Sequence, residues 1–166
     1  MPEGRIKVTD DVELETASQA DIDYVTENFR DGDRAECEAF GGGGDTLDLF
    51  ERCWVVRIRG KVVGYCGVAM VPGASWLSPY RFLCFMSCRE ADRMKVAFVR
   101  NSRAAMRAVV ERTPPWAETF LSAPLAEYRG TIIWHERVLG MHRMGARPHN
   151  GHEVVFYTKS REEILA

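Results

Sequence analysis

Residues 53–70, CWVVRIRGKVVGYCGVAM, limit the fold more than any other stretch. Two β-branched runs flank Arg59-Gly60-Lys61, a tight turn that makes them neighbours in a hairpin. RFLCFMSC (81–88) predicts a third strand after the loop PGASWLSPY. From Glu90 to about Arg112 helix formers dominate, and Met94, Phe98, Ala105 and Val109 make one apolar stripe. The TPPW segment (113–116) ends that helix, because proline neither donates a hydrogen bond nor tolerates a preceding α residue. ETFLSAPLA predicts a further, weaker strand.

Elements of the same kind lie on either side. VELET (12–16) alternates as an opening strand, and Ser18 with Asp21 forms a variant capping box ahead of Ile22, Val25 and Phe29 at helical spacing. A second short helix, DRAECEAF, starts after Gly32 and stops at Gly41–Gly44, with another helical turn expected in DTLDLFE. Near the end, Trp134, Val138, Met141 and Met144 fall on one helical face, so Gly145 is the expected exit from a helix. Asn150-Gly151 then predicts a hairpin turn into the alternating strand EVVFYT. The expected order is β, α, α, β, β, β, α, β, α, β, β.

A chain of 166 residues with this order is most simply one domain, residues 1–166. Its net charge of −2 argues against a nucleic-acid coat, which must be basic to neutralise phosphates. Five cysteines, odd in number and without CxxC spacing, favour a reducing compartment over a disulfide framework. The N-terminus lacks the apolar core of a signal peptide, and no apolar run is long enough to span a bilayer.

The element order resembles the GCN5-related N-acetyltransferase (GNAT) fold, with the closing unit carrying the likeness and RMGAR (143–147) standing at the turn before the last hairpin. ADIDYVTENFRDGDRAECEAFG is similar to the first two helices of a bacteriophage-encoded GNAT-like subgroup that includes a small internal virion protein of short-tailed phages. The resemblance implies an α/β (α+β) fold, a mixed central sheet of six to seven strands flanked by helices on both faces. It also implies acetyl-CoA as cofactor and an amine of a small molecule or protein as acceptor. Strand 81–88, with Phe85, Met86 and Cys88, would take the pantetheine arm, and Arg89, Arg93 and Met94 would lie at the pyrophosphate turn.

The chain departs from the family pattern twice. CREADRMK (88–95) puts Asp92 and Met94 where glycines are expected, and a carboxylate repels a diphosphate. Arg89, Arg93 and Lys95 offset this as phosphate-binding cations. Met141 occupies the usual tyrosine place, leaving Tyr128 as the nearest proton donor for a thiolate. Asp33, Glu36 and Glu38 on the second helix, and Glu136, are candidate bases if burial raises the pKa. The alternative is a non-catalytic phage virion core or accessory protein using the scaffold as an interaction module. Either form implies the host cytoplasm, with packaging into the virion open to the second.

Other signals have plainer readings. Asp45-Thr46 follows Gly41–Gly44 where a P-loop needs Lys-Ser/Thr, so the run is a turn. His135 with His142, and His149 with His152, read as adjacent pairs and not as a metal site. Trp54, Trp76, Trp116 and Trp134 read as core or rim packing. Arg93, Arg100, Arg103 and Arg107 read as a solvated face, or as a docking stripe for an acidic protein or for phosphates.

Overall fold

The computed structural model describes residues 4–41 and 47–166. Gly42–Gly44, Asp45 and Thr46, on which part of the glycine-run reading falls, lie outside the described residues. The strands are β1 (Ile6–Lys7), β2 (Val12–Thr16), β3 (Arg52–Ile58), β4 (Lys61–Met70), β5 (Tyr80–Ser87), β6 (Thr119–Ser122), β7 (His142–His149) and β8 (His152–Ser160). The helices are α1 (Gln19–Glu27), α2 (Asp31–Ala39), α3 (Glu90–Arg93), α4 (Lys95–Glu111), α5 (Arg129–Ile133) and α6 (Arg161–Leu165). One mixed sheet of eight strands runs in the order β1-β2-β3-β4-β5-β6-β8-β7, one or two more than expected. Every pair is antiparallel except β5 with β6.

The β3–β4 hairpin forms as its sequence demands. Arg59 and Gly60 both adopt positive φ (50° and 79°), the geometry whose twist matches the flanking strands. Trp54, Val56, Ile58, Val63, Cys66 and Val68 form a core with Ala108 and Val109 of α4. Val55 is buried too, and Cys53, Tyr65 and Met86 form a second core with Ile22 and Val25 of α1. Helices therefore cover both faces of the sheet. None of the cysteines forms a disulfide, and all but Cys84 are buried.

α1 carries the expected capping box, Ser18 Oγ accepting from Asp21 N–H while Asp21 accepts from Ser18 N–H. α2 starts two residues before the expected Asp33, which puts Gly32 inside its first turn. The predicted helix 90–112 is interrupted at Met94, whose φ of −113° and ψ of 23° depart from helical values and separate α3 from α4. The closing helix differs most. α5 runs into a single π turn, Trp134–Val138, and the chain leaves at Gly140 with φ +64°. Met141 is buried beside Val155 and Tyr157, and Met144 is exposed on β7, so neither extends the helical stripe. Gly145 sits in a β-bulge of β7 and RMGAR is part of that strand. No helix among the described residues is long and apolar enough to cross a membrane.

Candidate functional site

β5 and β6 pair only over Tyr80–Phe82 and Thr119–Leu121. Beyond Phe82 the two strands part, and an opening forms in the middle of the sheet. Ser87 turns its backbone away from β4: its N–H donates to Asp33 Oδ1 at 2.8 Å and its carbonyl accepts from Arg30 N–H. Side chains and backbone groups alternate along a strand, so the Phe85 amide and carbonyl face the same way, into the opening. An extended, amide-bearing arm can add to that edge by strand-like hydrogen bonds.

On the α2 side of the opening lie Asp33 and Glu36. Asp33 also accepts from Ser87 Oγ at 3.0 Å and lies 3.8 Å from Arg30. Burial nevertheless raises its pKa, with the Ser87 and Arg30 contacts pulling the other way. Glu36 is half-buried, and its carboxyl has no hydrogen-bond or ion-pair partner among the described residues. Burial, reinforced by the neighbouring Asp33, pushes its carboxyl up to about 8. Its charge is felt by the Cys84 thiol of β5, which places Glu36 beside the strand that borders the opening. Glu38 is exposed. The Tyr128 ring lies over Gly32 in the first turn of the same helix, 3.0 Å from where a Cβ would stand.

The other face is closed by the π turn. Trp134 stacks near Phe85 and Phe98 (centroids 5.6 and 5.8 Å apart), and its indole N–H donates to Ser102 Oγ at 2.9 Å. The next residue, His135, is 2.8 Å from Ser122 Oγ at the end of β6. Two successive side chains thus span the opening from β5 to β6. The same turn brings Glu136 to the Tyr157 hydroxyl, which donates to it at 2.7 Å. Neither Ser122–His135 nor Tyr157–Glu136 follows from sequence spacing, since each joins a strand to a turn whose π geometry shifts the register of every inward side chain.

Phe85 and Met86 lie next to each other on β5, with Met86 packed on the α1 side. The pyrophosphate turn is where expectation and structure part. The segment after Cys88 is helical: Ala91 N–H donates to Cys88 C=O, Asp92 N–H to Arg89 C=O, and Met94 N–H to Ala91 C=O. Those amides are occupied within the turn, so α3 presents no glycine-type amide cradle to a diphosphate. Arg93 pairs with Glu90 at 3.0 Å, Met94 packs against the α4-side core, and Arg89 is exposed. A diphosphate here would be held by cationic side chains, Arg89 and Lys95 foremost. An acyl-CoA thus fits the strand edge, and at the helix entry it would meet these side chains and the first amides of α4.

The arginine row on α4 is divided. Arg103 donates to the carbonyls of Arg137 and Val138, and Lys159 to that of Leu139 at 2.7 Å, so both cap the π turn. Arg100 and Arg107 are exposed. His149 and His152 pair across the hairpin as read, whereas His135 and His142 do not share a helical face. His135 is buried, and His142 on β7 meets Glu163 at 2.6 Å. Trp76 and Trp116 are exposed and in edge contact at 5.5 Å.

No family model matches the chain, and no curated protein matches it. Solved structures do. A GNAT-family acetyltransferase from Bacillus anthracis superposes with a TM-score of 0.68 at 14% identity, over 96% of this chain and 99% of that one. The aminoglycoside acetyltransferase AAC(6')-Ib in complex with coenzyme A gives 0.66 at 14%, over 92% and 96%. RimL, the ribosomal L7/L12 alpha-N-protein acetyltransferase in complex with coenzyme A, gives 0.63 at 13%, over 94% and 97%.

The chain has the GNAT fold.

In GNAT terms, the parted strands are β5 and β6, and Leu139-Gly140-Met141 is the turn before the last hairpin. The signal for that turn was present in the sequence: Gly140 is the first glycine after the helix, and helices commonly end at a left-handed glycine.

Proposed function

We propose that the protein is an acetyl-CoA-dependent N-acetyltransferase acting on an amine of a small molecule or protein. The observation that carries this reading is Glu36, a half-buried carboxyl without a partner among the described residues, beside a strand edge open to an extended ligand. Acetyl-CoA would supply the activated thioester carbonyl. The Phe85 backbone would hold the arm, and Arg89 and Lys95 would meet its phosphates. Glu36 would take the proton of the amine; a carboxylate of pKa about 8 is a stronger base than an ordinary one and is matched to that task. Tyr128, on the same helix flank, is the candidate to return a proton to the thiolate, and exposed Glu38 is not needed.

Thiol release from acetyl-CoA with a panel of primary amines tests this. The rate should climb with pH toward about 8, as Glu36 ionises. Glu36→Gln should lower kcat by about a hundredfold, the low end of general-base effects, while acetyl-CoA still raises Tm. An unchanged kcat in that variant would remove Glu36 from the chemistry.

A second reading, a non-catalytic phage virion or accessory protein, is favoured by two observations. The amides of the α3 turn are internally bonded, and Trp134 bridges the opening. No rise in Tm at millimolar acetyl-CoA would select it.

A further inference from the structure

The Ser122–His135 pair has a direction. The Thr131 carbonyl 2.8 Å from His135 Nδ1 can only accept, so Nδ1 carries the ring hydrogen. Nε2 of the neutral ring is then bare, and Ser122 Oγ, 2.8 Å away, must donate to it. The groups packed around the ring keep it neutral. Tyr157 stacks on one face at 5.2 Å, Trp134 meets its edge at 5.1 Å, and only 5% of the residue is exposed. The nearest carboxylate, Glu136, accepts from Tyr157. Burial holds the imidazole at about 4, which decides against one obvious role. Such a weak base cannot take the proton of a serine hydroxyl, so the pair is not a nucleophile with its activator.

What remains is an oxygen whose single hydrogen is committed and whose lone pairs are not. Ser122 is half-buried and ends β6 just past the last residue paired with β5, at the margin of the opening. Phe85, Phe98 and Trp134 make the neighbouring wall apolar, where a neutral donor is admitted more cheaply than a bare cation. We infer that Ser122, with its hydroxyl oriented by His135, is an acceptor-only binding residue that receives an amide N–H of the acyl donor's pantetheine arm. His135 is its positioning residue. The inference rests on the acetyltransferase reading and adds a recognition element on the β6 side of the opening, across from Phe85.

The probes are acetyl-pantetheine and its two forms methylated at one amide nitrogen, with binding read by calorimetry and turnover by thiol release. Ser122→Ala should weaken the parent compound about tenfold, the upper range for one hydrogen bond, chiefly in KM and with kcat within twofold. Ser122→Thr, which keeps the hydroxyl, should restore binding. One methylated form should lose the same factor against the unaltered protein and nothing further against Ser122→Ala. Equal losses in both proteins, or binding by Ser122→Ala within twofold of the parent protein, would overturn the inference and leave the acetyltransferase reading standing. Failure of the unaltered, folded protein to bind any of the three would overturn both. His135→Gln offers a check on orientation, since its amide N–H can donate to Ser122 and free the hydroxyl hydrogen. Affinity should fall in that variant although Ser122 is present, and unchanged affinity would show that His135 does not set the polarity.

Discussion

Arg81 shows how one residue can hold a loop that sequence pattern leaves undefined. Its side chain is almost wholly removed from solvent, and it donates to the carbonyls of Trp76, Ser78 and Tyr80 while pairing with Glu51. Nearly every donor of the guanidinium is matched, which is the condition under which a buried charge is tolerated. The result is a fixed loop that presents Trp76, Leu77 and Tyr80 to solvent, with Trp116 bound to the same Trp76 carbonyl at 3.1 Å. Arg81→Met keeps the bulk and removes the donors, leaving several carbonyls and Glu51 without partners. It should cost about 3–5 kcal/mol in urea unfolding, the range for breaking a buried ion pair from one side. A loss under 1 kcal/mol would mean that water replaces the guanidinium.

At the scale of elements, the closest approach lies between β4 and β5. A Cβ added at Gly64 would stand 2.2 Å from the Met86 carbonyl oxygen, a backbone atom that cannot rotate aside. Gly64 also adjoins the register shift between Val56 and Arg57 in the hairpin. Gly64→Ala should therefore destabilise the protein by about 2–3 kcal/mol, against a small gain where a glycine has room. Gly67 differs, since the obstructing group there is the Phe50 ring. The elements legible in the sequence were those whose information is local: the 53–70 hairpin, the Ser18 cap, the strand 81–88 and the Asn150-Gly151 turn. The break at Met94 was not legible, for it involves neither glycine nor proline. The end of α5 was misread because Met141 and Met144 continue an apolar period that the strand β7 uses instead. In the candidate site, the placement of Glu36 on α2 was legible in the sequence, but the absence of a partner for its carboxyl belongs to tertiary structure. Ser122 and His135 are thirteen positions apart and carry no motif.

For the molecule as a whole, two groups tilt stability in opposite directions with pH. His135 has a folded pKa of about 4 against 6.5 for the free side chain, so the unfolded chain binds the extra proton between these values. Its contribution is complete above pH 6.5 and is lost as pH falls to 4. Glu36, raised from 4.5 to about 8, is the reverse: the folded state holds the proton, and stability falls as pH rises through that interval. Glu36→Gln removes the Glu36 slope, and Asp33→Asn in the same protein removes that of Asp33, whose pKa is likewise raised by burial. Denaturant midpoints of that double variant should then report a loss of about 3 kcal/mol from pH 6.5 to 4, at 1.36 kcal/mol for each pH unit. Glu163, lowered from 4.5 to about 2 by its bonds to Ser160 and to His142, begins to act below pH 4.5, at the acid end of that window. A flat profile between 6.5 and 4 would mean that the imidazole is reached by water.

The seam between β5 and β6 has a consequence for how the chain assembles. Among the described residues three ladder pairs join the five N-terminal strands to the three that follow, and the whole chain between Phe82 and Thr119 must be looped out for those pairs to meet. Closing so long a loop for so few bonds is entropically slow, whereas the hairpins on either side need only nearby residues. Refolding should accordingly proceed with β3–β4 and β7–β8 protected first and the amides of Phe120 and Leu121 last, a sequence that pulse-labelled hydrogen exchange can time.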